Sequence, residues 1–275
     1  GVYTDEICKT LAPAKTFSDS DGQNVTSIDI TPDGSLVVTS SEDEALRLYE
    51  CENGSLLKTL YARKYGVALV RFLHEAGYVI CASSNQWDYS LRHWSVDTNR
   101  YLRYFKGHRA RVTGLEVSPH PEDNIIISSS EDGVIRLWDL RSEACSGYLR
   151  IPDRSVRAKA ALDDRGMVFA AAGHPDRVNL YDLRNHDKGP FNIFRTPGKE
   201  AGMSRSIRFS SDGKFLMVSG GMDRVLQLDA FSGDVVRVFV TDNRTMLNEA
   251  VMTPDSRYIF GGGADGALHI WSDHA

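Results

Sequence analysis

The sequence predicts an all-β fold, a propeller of six blades, from a segment that recurs along the chain. Six times, a pair of small residues and an acidic turn lead into a strand that ends in an aromatic residue or a stand-in for one. The residues at that strand position are Tyr49, Trp94, Trp138, Tyr181, Asp229 and Trp271, at spacings of 42 to 48 residues. The 23 glycines and nine prolines fall mostly between short β-branched runs, which favours tight turns over helices. A period of about 40 to 45 residues is typical of a WD-repeat propeller blade of four strands.

The repeats divide one predicted domain, residues 1–275, into consecutive units. Their approximate bounds are 18–60, 61–105, 106–150, 151–195, 196–239 and 240–275. In the third repeat, strands a to d are predicted near residues 112–117, 125–129, 134–138 and 146–150. A turn over residues 131–133 joins strands b and c. The last repeat lacks an outer strand, and residues 13–17 are expected to supply it by joining both ends of the chain in one sheet.

The third repeat also has the residues for a buried hydrogen-bonded chain. In blades of this type His108, Ser128, Asp132 and Trp138 can bond in series, and the Asp then fixes the tautomer of the imidazole. A hydrolytic triad uses the same residue types, but it needs an exposed nucleophile, and the chain has no G-x-S-x-G elbow. We therefore expect a structural network and no catalytic residue. Partial sets are expected in other repeats: Thr39 with Asp43, Ser84 with Asp88 and Trp94, Ser219 with Asp223, and Asp176 displaced towards Tyr181.

Composition excludes several functional classes. The net charge of −5 argues against a general nucleic-acid binder, whose affinity would come from clustered Lys and Arg. No stretch approaches the roughly 18 apolar residues of a membrane span, so we expect a soluble protein. The four cysteines form no C-x-x-C pair and the eight histidines show no ligand spacing. We expect reduced thiols in an intracellular compartment, and neither a metal site nor a cofactor.

Several stretches resemble one family more closely than WD repeats in general. They are KYGV at 64–67, NRYLRYFKGH at 99–108, RLWDLRS at 136–142, YDLRNHDKGPF at 181–191 and LDAFSG at 228–233. In this order they are similar to the Swd-type WD-repeat subunit, which is shared by the COMPASS histone lysine methyltransferase complex and nuclear complexes for RNA 3′-end processing and termination. In animals the related subunit also joins a type 1 phosphatase complex. The family has seven blades. Either this chain closes with six, or its last blade lies outside the sequence.

The resemblance implies a nuclear, non-catalytic platform that docks an enzyme complex to transcribing RNA polymerase II. The implied partners are a SET-domain methyltransferase subunit, the nuclear targeting subunit of type 1 phosphatase, or cleavage and polyadenylation factors. The serine-phosphorylated C-terminal repeats of the polymerase are a further implied partner. Direct contact with nucleic acid or a membrane is not expected.

Two basic loops are candidates for such contacts. One precedes the second repeat and the other precedes the third; together they contain Arg63, Lys64, Lys106, Arg109 and Arg111. Both loops are expected on the face of the b–c turns, where their charges would suit an acidic or phosphorylated peptide. The alternative is an ordinary solvated rim of charges.

Trp87 is the candidate anchor residue. It lies in the b–c turn of the second repeat, outside the strand position of Trp94, and is expected beside Tyr65 and Tyr89. Exposed aromatic residues contribute strongly to binding at protein interfaces. Packing against the adjacent blade is the alternative.

Two other functional classes use the same architecture. A WD-repeat substrate adaptor of a ubiquitin ligase has the same fold, and Arg136 in the third repeat slightly favours it. A propeller enzyme is the remaining alternative, although no nucleophile-and-base motif supports it.

Overall fold

The computed structural model describes residues 4–75, 77–151, 157–197, 205–219, 223–241 and 245–272. Its regular structure is six antiparallel sheets, as the repeat predicted, so the chain is an all-β propeller of six blades. The described helices are the five-residue α1 (Asp5–Lys9) and one 3-10 turn (His186–Lys188). None of the described helices is long and apolar enough to cross a membrane.

Residues 13–149 form one compact unit with three four-stranded blades. Blade 1 consists of β1 (Val25–Ile30), β2 (Leu36–Ser41), β3 (Ala45–Glu50) and β4 (Ser55–Tyr61). Blade 2 consists of β5 (Ala68–Phe72), β6 (Tyr78–Ala82), β7 (Leu91–Ser95) and β8 (Arg100–Phe105). Blade 3 consists of β9 (Val112–Val117), β10 (Ile125–Ser130), β11 (Val134–Asp139) and β12 (Cys145–Arg150). The strands of blade 3 agree with the predicted bounds to within one residue.

Residues 1–12 and 150–275 form the second compact unit. Blade 4 consists of β13 (Lys159–Leu162), β14 (Val168–His174), β15 (Arg177–Asp182) and β16 (Asn192–Arg195). Blade 5 consists of β17 (Ser206–Phe209), β18 (Phe215–Ser219), β19 (Arg224–Asp229) and β20 (Val235–Val240). Blade 6 has three strands among the described residues: β21 (Leu247–Met252), β22 (Tyr258–Gly263) and β23 (Leu268–Ser272).

Each unit has its hydrophobic cores between neighbouring blades. Trp94 is buried between blades 1 and 2, and Trp138 between blades 2 and 3. Burying an aromatic ring of this size contributes about 4 to 6 kcal/mol of transfer free energy, which explains why the repeat has an aromatic residue at this position. In the second unit, Leu216 lies in the core between blades 4 and 5, and Ile259 in the core between blades 5 and 6. An inner strand such as β6, β14 or β18 is therefore covered on both faces, and its sequence alternates only weakly.

The expected outer strand of the last repeat is wrong. Residues 13–17 form no strand and belong to the unit of blades 1 to 3, where they lie against blade 1. The ring of Phe17 packs edge-on to Tyr49 at a centroid distance of 4.8 Å. The Lys15 ammonium donates to the backbone carbonyls of Asn53 (3.3 Å) and Gly54. These contacts fix the segment on the turn between β3 and β4, so it does not pair with β23.

Candidate functional site

The four predicted network residues meet in blade 3: His108 lies in the loop before β9, Ser128 on β10, Asp132 in the turn after β10, and Trp138 on β11. His108 Nδ1 lies 3.0 Å from Asp132 Oδ2, and His108 Nε2 lies 2.7 Å from Ser128 Oγ. The Trp138 indole nitrogen donates to the same Ser128 Oγ at 2.8 Å. Ser128 and Trp138 are completely buried. This series of hydrogen bonds connects the loop before β9 to the b–c turn and to Trp138 in the core of the blade.

Electrostatics determine the protonation of this network. Burial lowers the pKa of His108, although its hydrogen bond to Asp132 acts in the opposite direction. Burial opposes ionisation of Asp132, but the N–H of Arg109 and the His108 ring outweigh it and lower the pKa of that carboxyl. At neutral pH the network therefore contains a carboxylate and a neutral imidazole. Nδ1–H then donates to Asp132, and Nε2 accepts from the Ser128 hydroxyl.

Blades 1 and 2 use a buried arginine where blade 3 uses a histidine. In blade 1, Arg47 donates to Ser41 Oγ at 2.8 Å and forms an ion pair with Asp43. In blade 2, Arg92 donates to the hydroxyl of Ser83 and pairs with Asp88. Each arginine lies two residues before the aromatic position of the repeat. This spacing is visible in the sequence, but a prediction based on a Gly-His entry does not include the arginines.

The partial sets expected in these two blades are therefore wrong in their members. The expected partner of Asp43 was Thr39, but Ser41 takes that place because its hydroxyl lies between Asp43 and Arg47. In blade 2 Ser83 replaces Ser84. Trp94 does not join the set, because its indole nitrogen donates to Asn99 Oδ1 at 3.2 Å.

Blades 4 and 5 also differ from the expected sets. Ser219 Oγ accepts the backbone N–H of Ala250 in blade 6 at 3.1 Å. Asp223 pairs with its neighbour Arg224 at 3.4 Å. Asp176 lies half exposed, 3.9 Å from a guanidinium nitrogen of Arg195 on the outer strand. Asp176 is paired at the surface, so it cannot join a buried chain of hydrogen bonds. Blades 4 and 5 are therefore stabilised by contacts other than the expected sets.

Trp87 lies on the surface, at the end of a stack of aromatic and cationic groups in blade 2. Its side chain is 62% exposed, and its ring centroid lies 5.4 Å from that of Tyr65. On the Tyr65 ring lies the buried Arg92 guanidinium, with Cζ 3.7 Å from the ring centroid. Tyr101 and Tyr104 enclose the same guanidinium at 5.6 and 5.7 Å. Tyr65 and the Arg92–Asp88 ion pair beneath it therefore hold Trp87 in place, and the outer face of the Trp87 ring remains exposed.

The loop of residues 62–67, before β5, is fixed to the b–c turn of blade 2, in which Trp87 lies. Asn85 donates from its side chain to the Lys64 carbonyl at 2.8 Å, and from its backbone to the Tyr65 carbonyl at 3.2 Å. Gly66 has a φ of +66°, and a Cβ there would lie 1.8 Å from Ser84 Oγ. Tyr89 is half-buried, and no ring contact joins it to Trp87 in the described part of the chain. The structure thus brings Tyr65 to Trp87, but not Tyr89.

The five predicted cations are all exposed on the loops that meet the b–c turns. Arg63 lies over the Tyr61 ring at 5.2 Å, and Lys64 lies over the Tyr65 ring at 5.1 Å. The backbone of Arg109 donates to Asp132, which leaves its side chain exposed. Across the described ranges, no acidic side chain forms an ion pair with any of the five: Arg63, Lys64, Lys106, Arg109 and Arg111. Their charges are available to an anionic partner.

Three other features raised by the sequence are a metal site, Arg136 and the cysteine thiols. No three His, Cys, Asp or Glu side chains among them are close enough to hold a metal ion. Arg136 packs near the rings of Trp138 and Tyr148, at 5.9 and 5.8 Å, and is half-buried. It therefore offers little free charge for recognising a ligand. Burial raises the pKa of the Cys81 thiol to about 12, so it carries no thiolate at neutral pH.

Comparison with known proteins points to one family. The model of the WD domain, G-beta repeat, matches residues 11–50, 99–139 and 192–228. WD repeat-containing protein 82 of Drosophila melanogaster is 36% identical over 98% of this chain and 83% of its own length. Set1 complex component swd2 of Schizosaccharomyces pombe is 35% identical over 94% of this chain and 73% of its own length. COMPASS component SWD2 of Saccharomyces cerevisiae is 31% identical over 90% of this chain and 76% of its own length.

Proposed function

Because this chain belongs to the WD-repeat family of Set1 complex component swd2, COMPASS component SWD2 and WD repeat-containing protein 82, we propose that it is a docking subunit without catalytic activity of its own. Its complex would be a histone methyltransferase assembly of the COMPASS type, a type 1 phosphatase complex or a 3′-end processing complex. The subunit would work in the nucleus and link that complex to transcribing RNA polymerase II.

The observation that carries this proposal is the surface around Trp87. An exposed indole lowers the solubility of a protein. Here Tyr65, which packs on the buried Arg92 guanidinium, holds the Trp87 ring in place. Ordering of an aromatic side chain before binding reduces the entropy that an interface must overcome. The neighbouring loops add exposed cations with no described acidic partner, which would attract an acidic or phosphorylated segment. A pre-ordered aromatic residue beside free positive charge suits protein docking.

The triad-like residues of blade 3 support a role without catalysis. Ser128 is completely buried, and its hydroxyl oxygen contacts both the His108 ring and the Trp138 indole. A nucleophile must meet its substrate, and this one is enclosed and fully bonded. The adaptor of a ubiquitin ligase shares the fold, but the half-buried packing of Arg136 gives that alternative no support.

Purification of tagged full-length protein from nuclear extract, followed by mass spectrometry, tests the proposal. A SET-domain methyltransferase, a type 1 phosphatase scaffold or cleavage factors should be recovered. Trp87→Ala should weaken binding by about 2 kcal/mol or more, or roughly 30-fold, without lowering the melting temperature. Leu102→Ala is the matched control, because Leu102 is 52% exposed on the outer strand of the same blade. Recovery of a cullin-based ligase, or equal loss in both variants, would contradict the proposal.

The contact with the polymerase has its own test. A serine-phosphorylated peptide of the C-terminal repeat and its unphosphorylated form are titrated against the protein by fluorescence anisotropy. The phosphorylated form should bind at least tenfold more tightly, and the preference should fall when Arg109 and Arg111 are both replaced by Gln. Replacing the exposed Arg100 and Arg184 by Gln makes the same charge change outside these loops. Equal binding of the two peptides would refute direct recognition of the phosphate.

A further inference from the structure

A second groove lies between blades 2 and 3 and has no role in the proposed docking surface. It is a cavity of about 640 Å³ on the face that carries the a–b turns, which is the opposite end of the blades from Trp87. Both blades belong to the unit of residues 13–149. Its polar lining consists of His74, Glu75, Tyr78, His93, Arg103 and Arg141, together with Ser118, His120 and Asn124.

Strand register explains why polar groups meet here. His93 on β7 pairs with Ile80 on β6 and with Arg103 on β8. Along this face of the sheet, the polar side chains of His93 and Arg103 therefore follow the apolar side chain of Ile80. On the same face, Ile80 and Phe105 are buried against blade 3. Towards the a–b turns the contact between blades opens, and the sequence changes to polar residues. The groove is therefore the open end of the interface between the blades.

Arg103 supplies the main charge of the groove. Its guanidinium donates through one nitrogen to the Leu140 carbonyl, which anchors it to blade 3. Within the described ranges, no carboxylate forms an ion pair with it. Arg141 lies at the rim, where Asp139 holds it at 2.7 Å, and its side chain is 69% exposed. The guanidinium of Arg103 therefore has donors left for a ligand.

His93 adds hydrogen-bonding capacity to the groove without much charge. Burial lowers the pKa of His93, and the nearby Arg103 charge lowers it further, so its imidazole is neutral at pH 7. His93 also packs edge-on to Tyr78 at 5.5 Å. His74 Nε2 lies 2.6 Å from the Ser118 carbonyl, and so fixes the blade 3 wall of the groove. The Arg103 guanidinium, with the neutral His93 imidazole and the Tyr78 ring in the same groove, therefore favours binding of a planar anion.

We propose that this groove binds a carboxylate side chain from an acidic segment of a partner protein, with Arg103 as the principal contact. Glu75 lines the same groove, and Asp139 lies beside Arg141, so a doubly charged phosphate would meet two nearby carboxylates. A carboxylate carries half that charge and matches the guanidinium fork in two parallel hydrogen bonds. The chain as a whole carries −5, so the positive charge of Arg103 is a local feature that would direct an acidic segment to this groove.

The site does not depend on the proposed function, because its residues lie at the other end of the blades. A platform with both sites would hold two partners at once. The order of strands places them on opposite faces, so neither partner would block the other.

The test titrates N-acetylated, C-amidated tetraglutamate into the full chain and follows the imidazole resonances of the histidines by NMR. The His93 resonance, assigned from its loss in His93→Gln, should shift with the peptide, and tetraglutamine should leave it unchanged. Arg103→Gln should weaken the binding at least fivefold. Arg100→Gln is the matched control, because Arg100 is an exposed arginine on the same strand and does not line the groove.

A second variant covers the case in which Arg103→Gln lowers the melting temperature through loss of the Leu140 contact. Arg141→Gln removes an exposed rim charge and its surface ion pair with Asp139, and it should weaken tetraglutamate binding two- to fivefold with an unchanged melting curve. Equal effects of the Arg100 and Arg103 variants would overturn the proposal. So would the absence of any His93 shift at millimolar peptide, or a larger His93 shift with inorganic phosphate than with tetraglutamate.

Discussion

Replacement of His108 by alanine removes the centre of the hydrogen-bonded chain in blade 3. The imidazole contacts Asp132 at 3.0 Å and Ser128 at 2.7 Å, and its side chain is 1% exposed. Asp132 keeps the backbone donors of Arg109 and Val134, and Ser128 keeps Trp138. Water cannot reach the vacated space easily, so both polar groups lose a partner without replacement.

The expected loss of unfolding free energy is about 1 to 3 kcal/mol, the cost of leaving a buried polar partner unsatisfied. Urea unfolding followed by tryptophan fluorescence measures it, because Trp138 is completely buried in the same chain. Glu131→Ala is the control: this exposed residue lies in the same b–c turn, and its replacement should change stability by less than about 0.5 kcal/mol.

The same network predicts a pH dependence. Burial lowers the pKa of His108 below its ordinary value of 6.5, so the unfolded chain takes up a proton more readily than the folded chain. The contribution of His108 to stability is therefore fully present above pH 6.5 and decreases as the pH falls below that value. His108→Ala lacks this group, so the difference in stability between wild type and variant should shrink between about pH 7 and 5.

Two results would refute this reasoning. Unchanged unfolding of His108→Ala at pH 7 would mean that the chain of hydrogen bonds contributes nothing to stability. A wild-type advantage that grows at lower pH would mean that His108 is held protonated, because a charged imidazole beside Asp132 would become stronger as the pH falls.

Further expectations concern residues away from this network. Arg92→Ala removes a buried guanidinium and leaves the partly buried Asp88 carboxylate without its ion pair. It should cost about 3 kcal/mol or more by thermal unfolding while shifting the fluorescence of the stacked indole; an unshifted spectrum would contradict the stack. Gly233→Ala should destabilise far more than Gly266→Ala, since both have φ near +80° but only the first Cβ would meet a buried ring at 2.2 Å. Iodoacetamide should label Cys51, which is exposed, and leave Cys81 unmodified in the native protein by intact mass, because Cys81 is buried with its thiol protonated; early labelling of Cys81 would indicate local opening.

The repeat predicted the blade count and the strand bounds because each blade has the same local requirements. Hairpin turns need acidic and glycine residues, and a strand covered on both faces needs a large apolar residue at a fixed place. Those requirements are visible within about 40 residues of sequence, so blade 3 was predicted to within one residue per strand boundary. The single domain over residues 1–275 stays a prediction, as do the functional roles of the candidate site residues.

The choice between equivalent side chains was not visible in the sequence. Ser41 rather than Thr39, and Ser83 rather than Ser84, contact the acidic residue of their turns, because the buried Arg47 and Arg92 determine which hydroxyl is within reach. The sequence placed Trp87 in a turn but could not show its ring on Tyr65.

By itself, the sequence determined the architecture of this protein, its family and the position of its basic loops. Periodicity and motif spacing can be read along the chain without knowledge of the contacts between strands. Only the tertiary structure decided the path of residues 13–17, the arginine-centred sets of blades 1 and 2, and the groove around Arg103. The arginine sets depend on which hydroxyl lies within reach in their own hairpin. The path of residues 13–17 and the groove depend on contacts between segments that are about 40 residues apart, such as Arg103 with Leu140. Contacts of that kind are settled by packing between strands and blades, and local sequence patterns do not record them.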